Sequence, residues 1–231
     1  MTPKQQVAVM VGLFSALGIG VSVGIIAFGG GFAGGDTSIF NPPTSADIYV
    51  IGAQVTDGLS MGYTVDSQGP PSLADANVSI TFNKSGDSWR TAFDVVNGTQ
   101  GTQQFDVMFS KELTKEGSIS EPARQYLEPI ESSILAIRDM DYGGRDKYLV
   151  VGAPWNTIVT GGTTPITVKI TSEEQVTTPA GTFDALVLSY KLSNNTSKIY
   201  VVKDLPMPVK AETYDINDQL YYRYELVSLS R

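Results

Sequence analysis

Apolar and polar residues alternate along most of this chain. Leu59-Ser60-Met61-Gly62-Tyr63-Thr64-Val65 and Ala76-Asn77-Val78-Ser79-Ile80-Thr81-Phe82 put apolar residues on one side and small or polar residues on the other. A strand points successive side chains to opposite faces, so period two predicts half-buried antiparallel strands. Residues 89–96 and 105–109 continue the pattern, with turn residues at 83–87 and at Asn97-Gly98. Strand signals return at 147–151, 166–170, 174–178, 183–192, 198–202, 209–214 and 219–229. Between them lie Pro179-Ala180-Gly181, Asn194-Asn195 and Asn217-Asp218, which read as turns.

Two stretches break the alternation. Residues 7–28 carry no charged side chain and are interrupted only by Gly, Ser15 and Ser22. A helix of about 20 such residues crosses a hydrocarbon core about 30 Å thick. Lys4 precedes the run and no acidic residue does, so the positive-inside rule puts the N-terminus in the cytoplasm and the rest outside. A cleaved signal peptide is the rival, with small residues around Ala27-Phe28-Gly29; the apolar run exceeds the usual length of a signal core. The second break is residues 121–139. Ser120-Glu121-Pro122 is a helix start, and Tyr126, Leu127, Ile130, Ile134, Leu135 and Ile137 follow at near-helical spacing. Pro129 is expected to kink or split this helix.

The predicted fold class is therefore α+β, mainly β. An N-terminal transmembrane helix (1–28) leads through a Gly/Pro linker (29–46) to an extracytoplasmic domain (47–231). That domain is expected to be a curved, open-barrel-like antiparallel sheet, its concave face covered by the helical insertion through Leu127, Ile130, Ile134 and Ile137.

Charge and composition narrow the function. The chain of 231 residues has 16 basic and 24 acidic residues, a formal net charge of −8. All of the acidic excess lies after Lys4. Such a surface repels phosphate backbones, so nucleic acid is not expected as a partner. There is no Cys and no His. Disulfides, thiolate metal sites, and Ser-His-Asp or Cys-His catalysis are thereby excluded, and no cofactor is expected. Asp139-Met140-Asp141 brings two carboxylates together without the rest of a calcium loop, so no metal site is predicted. No enzyme activity is expected.

Three sets of residues are candidates for function. Gly12, Ala16, Gly20 and Gly24, with Ala8 before them, form a small-residue stripe that lets membrane helices approach closely, which suggests a membrane-helix partner or a homo-oligomer. Asn-x-Ser/Thr sequons occur at Asn77, Asn83, Asn97, Asn194 and Asn195, all read at turns or strand faces that see solvent. Ile130 and Ile134, with Tyr222 and Tyr224 on one face of the last strand, are candidates to line an apolar cavity or to form plain core.

A resemblance bears on these. Tyr148-Leu149-Val150-Val151-Gly152-Ala153-Pro154-Trp155, then residues 173–185 around Pro179-Ala180-Gly181-Thr182-Phe183, then Lys198-Ile199-Tyr200-Val201-Val202 and Pro208-Val209-Lys210 form a series. It resembles domains of the LolA/LolB-like lipoprotein-carrier superfamily and related envelope domains, over roughly residues 59–229. The resemblance implies a curved antiparallel sheet partly wrapping helices around an apolar cavity. Its motifs are structural, not catalytic. The expected function is a single-pass membrane-anchored module, non-enzymatic, that binds an apolar or lipid-like ligand; the alternative is a cell-surface structural or interaction subunit without one.

Overall fold

The alternation at residues 76–85 becomes a strand because each face finds its proper surroundings. Ala76, Val78, Ile80 and Phe82 are buried, while Asn77 and Asn83 face solvent. The computed structural model describes residues 44–68, 71–139, 147–159 and 165–231, and Asp47–Arg231 form one compact unit. The expected transmembrane helix lies outside the described residues. Among those described, no helix is long and apolar enough to cross a membrane.

The first half of the unit is a meander of β2 (Ser60–Ser67), β3 (Ala76–Ser85), β4 (Ser88–Asn97), β5 (Gly101–Phe109) and the short β6 (Lys115–Glu116). The second half is another: β8 (Pro154–Val159), β9 (Pro165–Thr178), β10 (Gly181–Lys191), β11 (Thr196–Val201), β12 (Lys210–Tyr214) and β13 (Leu220–Ser230). The last strand returns to pair with β2, setting Leu226 opposite Tyr63 and Tyr224 opposite Val65. The two meanders thus fuse into one antiparallel sheet of 11 strands in the order β6-β5-β4-β3-β2-β13-β12-β11-β10-β9-β8. Between the halves lie α1 (Glu121–Glu131) and α2 (Ala136–Asp139).

The sheet is curled. β12 and β11 separate β13 from β10, and three steps of about 4.8 Å would hold those strands about 14 Å apart if the sheet were flat. Ala180, in the β9–β10 turn, nevertheless donates its N–H to the Leu226 carbonyl of β13 at 3.3 Å. Curling on this scale gives the sheet an inner face. Tyr63, Ile80, Phe93, Val107, Tyr224 and Leu226 on that face share one buried cluster with Leu127, Ile130 and Ile134 of the helical segment. Each such side chain contributes about 1.5–3 kcal/mol when fully buried.

Pro129 is expected to kink or split the helical segment, and the segment is split in two, but just beyond the proline rather than at it. α1 runs through it to Glu131, and the break falls at residues 132–135. Proline lacks the N–H that would bond the carbonyl of Gln125, four residues earlier. That carbonyl instead accepts a hydrogen bond at 2.9 Å from the Ser72 hydroxyl, on the 3-10 turn Pro71–Leu73. With the orphaned acceptor satisfied from outside, the helix tolerates its proline.

Two strand boundaries also differ. Residues 166–170 and 174–178, expected as separate strands, are one strand, β9. Ile170 pairs with Leu188 and Ser172 with Val187, so Thr171 is an extra residue in the ladder. Its hydroxyl lies 3.2 Å from the Val187 carbonyl and 2.8 Å from the Ser189 hydroxyl. Thr171 is therefore a bulge that joins the two strand signals into one strand. Residues 147–151 do not join the large sheet. Only β7 (Lys147–Tyr148) is extended, and it pairs with β1 (Ile48–Tyr49) in a separate two-stranded ladder. Trp155 secures this ladder: its indole N–H donates to the Tyr148 carbonyl at 2.8 Å, and its ring lies 5.6 Å from that of Tyr49.

Candidate functional site

The two faces of the sheet offer different chemistry. On the inner face the structure brings the four cavity candidates together. Ile130 and Ile134 have no exposed surface, and Tyr222 and Tyr224 are 6% and 1% exposed. The Tyr222 hydroxyl donates to the Ser132 carbonyl at 2.8 Å, pinning β13 to the end of α1. The Tyr222 and Tyr224 rings stack with centroids 6.2 Å apart, and Tyr63 meets Tyr224 edge-on at 5.8 Å. The Tyr63 hydroxyl donates to the Pro208 carbonyl at 3.1 Å. Burial pushes the hydroxyls of Tyr63, Tyr222 and Tyr224 well above the usual tyrosine range. They are neutral packing residues with no part in acid–base chemistry near neutral pH.

The helical segment is also fixed at its far end. Glu131 accepts from Arg138 and, at 3.3 Å, from Lys115 of β6. The Arg138 guanidinium lies 5.4 Å from the centre of the Phe109 ring and donates to the Leu113 carbonyl at 3.3 Å. Both members of the Glu131–Arg138 pair are largely shielded, so removing either leaves a poorly solvated charge. Sequence reasoning missed this network because its members are scattered over residues 109–138.

The outward face is polar. In register across four strands, Lys198 lies opposite Glu212, Glu212 opposite Arg223, and Arg223 opposite Asp66. Arg223 reaches Glu212 at 3.1 Å and Lys198 reaches Glu174 at 3.6 Å. The Tyr214 hydroxyl also bonds Glu212, which raises its pKa. These pairs are exposed, so each adds little stability, but together they give the face an alternating charge pattern. Two open grooves cross it. One, of about 590 Å³, is lined by Asp66, Asp75, Lys210, Glu212, Arg223 and Glu225 among others. The other, of about 480 Å³, lies over Ser79, Thr81, Asp94, Gln104 and Asp106. Asp94 accepts from Gln104 at 2.9 Å with one oxygen, and its other oxygen has no partner among the described residues.

The five sequons fall into three environments. Asn77 and Asn83 project from β3 on the outward face. Asn97 is a correction to the expectation of solvent-facing sequons: it is 1% exposed. Its amide group donates to the carbonyls of Pro71, Ser72 and Ala74 at 3.2, 3.3 and 2.9 Å, and its carbonyl oxygen accepts from Thr99 and Gln100. The alternation already carried the signal, since Asn97 continues the inward series Thr91, Phe93, Val95. Asn194 and Asn195 belong to a clamp between two hairpin tips. The Asp218 carboxylate accepts from Ser193, from the backbone N–H of both asparagines and from the Asn194 amide, while the Asn195 amide donates to the Asp218 carbonyl.

Gly12, Ala16, Gly20 and Gly24 lie outside the described residues, as does most of Asp139-Met140-Asp141. Among the described residues no cluster of three or more carboxylates could hold a metal ion.

A family model described as DUF3108-like matches residues 162–226, well under half of the chain. That span holds the Pro179-Ala180-Gly181-Thr182-Phe183 and Pro208-Val209-Lys210 parts of the carrier-like series, but not Trp155. No curated protein matches the chain. Among solved structures, an exported protein with a YmcC-like fold from Bacteroides fragilis is 10% identical, with 80% of this chain and all (100%) of that chain covered and a TM-score of 0.37. A lipoprotein from Parabacteroides distasonis is 12% identical, with 79% and 99% covered and a TM-score of 0.40. The MucA/MucB complex of Pseudomonas aeruginosa gives 12% identity and a TM-score of 0.41; 78% of this chain is covered but 54% of that one, so the match spans about half of its length.

Proposed function

We propose that this chain is a non-enzymatic protein-interaction module, tethered to the outer side of a cell membrane by residues 7–28, whose partner contacts the outward face of the sheet. The observation that carries this is the contrast between the two faces. The side chains that would line an apolar ligand cavity, Ile130, Ile134, Tyr222 and Tyr224, are consumed in packing the helical segment onto the sheet. Two open grooves lie on the polar face. The larger sets four carboxylates, Asp66, Asp75, Glu212 and Glu225, against Lys210 and Arg223. Complementary charge favours a partner surface bearing Lys and Arg. The uncharged run after Lys4 supports the tether, and a chain without Cys or His lacks the commonest catalytic groups.

Site-specific photo-crosslinking tests this in the cells that make the protein. A photoreactive side chain at Gln104 or Arg223, both exposed on the outward face, is expected to give one discrete adduct of protein mass that protease removes. Adducts of lipid mass, or adducts equally frequent from positions around the whole surface, contradict the reading and favour the carrier.

A further inference from the structure

We propose that Asn83 is the chain's N-glycan acceptor, and that the other four sequons stay unmodified in the folded protein. The proposal rests on the outside location given above.

N-glycosylation joins the asparagine Nδ2 to the anomeric carbon of an oligosaccharide carried on a lipid diphosphate. The Nδ2–carbon bond forms, the carbon–oxygen bond to the diphosphate breaks, Nδ2 gives up one proton, and the lipid diphosphate leaves. An acceptor must therefore present a free amide to a bulky donor, and the fold must tolerate the attached sugar.

Asn83 meets both conditions. It is exposed, it points outward near the end of the β3–β4 hairpin, and its amide makes no hydrogen bond among the described residues. β2 begins opposite Thr81, so Asn83 lies beyond the end of β2 and has a paired strand residue, Arg90, on one side only. Its sequon partner Ser85 is exposed beside the Gly86-Asp87 turn. A glycan there projects from the outward face beside the hairpin tip.

The remaining sequons fail for separate reasons. Asn97 is buried and spends its amide on three carbonyls. A sugar there cannot coexist with that packing, so a chain modified at Asn97 would not reach this fold. The amides of Asn194 and Asn195 are engaged by Asp218 at 2.7 and 3.0 Å. Asn77 is also exposed and its amide makes no hydrogen bond among the described residues, but it lies in the larger groove, between Thr64 of β2 and Val96 of β4, where a glycan would cover the face proposed for the partner.

The test uses full-length protein purified from membranes of the cells that make it, with intact-mass measurement and glycopeptide mapping. The wild type is expected to carry one glycan, lost in both Asn83→Gln and Ser85→Ala. The second variant keeps Asn83 and removes only the hydroxyl of the sequon. An unchanged mass in either variant, no glycan on the wild type, or a glycan mapped to Asn97, Asn77, Asn194 or Asn195 overturns the proposal. Protease added to intact cells separates the two layers of the argument. A digestible domain without a glycan at Asn83 defeats this inference alone. A domain protected from external protease defeats the outside location and the inference with it.

Discussion

Asn97 is a residue whose chemistry is spent entirely on the fold. Its side chain replaces a missing piece of backbone, joining the 3-10 turn Pro71–Leu73 to the end of β4 and capping the following turn. Each net hydrogen bond is worth about 0.5–1.5 kcal/mol, and a buried acceptor left bare costs about 1–3 kcal/mol. Asn97→Ala is accordingly expected to destabilise the domain by about 2–4 kcal/mol in urea unfolding. A loss within the error of the midpoint would show that water replaces the amide. Asp218 offers a pH test at the same scale. Hydrogen bonds, first from the Asn195 backbone N–H and then from Asn194 and Ser193, hold its carboxyl below the ordinary 3.8. A depressed folded-state pKa means that the clamp's contribution is complete above 3.8 and fades as pH falls through the lower folded value. The amide resonances of Asn194 and Asn195 should shift with a midpoint below 3.8, and not at all in Asp218→Asn. A midpoint at or above 3.8 would contradict the clamp.

Among the elements, α1 shows what a linear reading can and cannot reach. Its start at Ser120-Glu121-Pro122 and its buried face through Leu127 and Ile130 follow from spacing alone. Its continuity through Pro129 does not, because the compensating Ser72 lies 53 positions from Gln125. Ser72→Ala should cost about 1–3 kcal/mol by stranding the Gln125 carbonyl. Pro129→Ala restores an N–H for that carbonyl, so the same Ser72→Ala change should cost much less in its background. Equal costs in both backgrounds would mean that the two residues are not coupled. β9 makes the same point: residues 166–170 and 174–178 read as two strands until the opposing register shows one unmatched residue between them. Short-range alternation fixes strands and faces, whereas bulges, tolerated prolines and side chains bonded to distant backbone depend on neighbours the sequence does not align. Of the candidate site, the meeting of Ile130, Ile134, Tyr222 and Tyr224 was legible from periodicity, but whether space remained beside them was not.

At the scale of the whole unit, the pairing of β13 with β2 closes the argument, since it brings the last strand to the middle of the sheet and makes two meanders share one core. The buried face of the helical segment packs into that core. Ile134 lies in that shared core, so Ile134→Asp should destabilise the entire unit by about 2–5 kcal/mol in one cooperative transition. A biphasic transition, with one half of the sheet surviving, would show that the meanders are independent. The packed inner face is also what separates an interaction module from a carrier. Residues 47–231 should be titrated with a fluorescent long-chain lipid probe under native conditions. A packed core predicts no saturable rise in probe fluorescence at any protein concentration. Saturable, stoichiometric binding that a non-fluorescent lipid displaces would show that the inner face opens to hold an apolar ligand, and the carrier function would then stand in place of the one proposed.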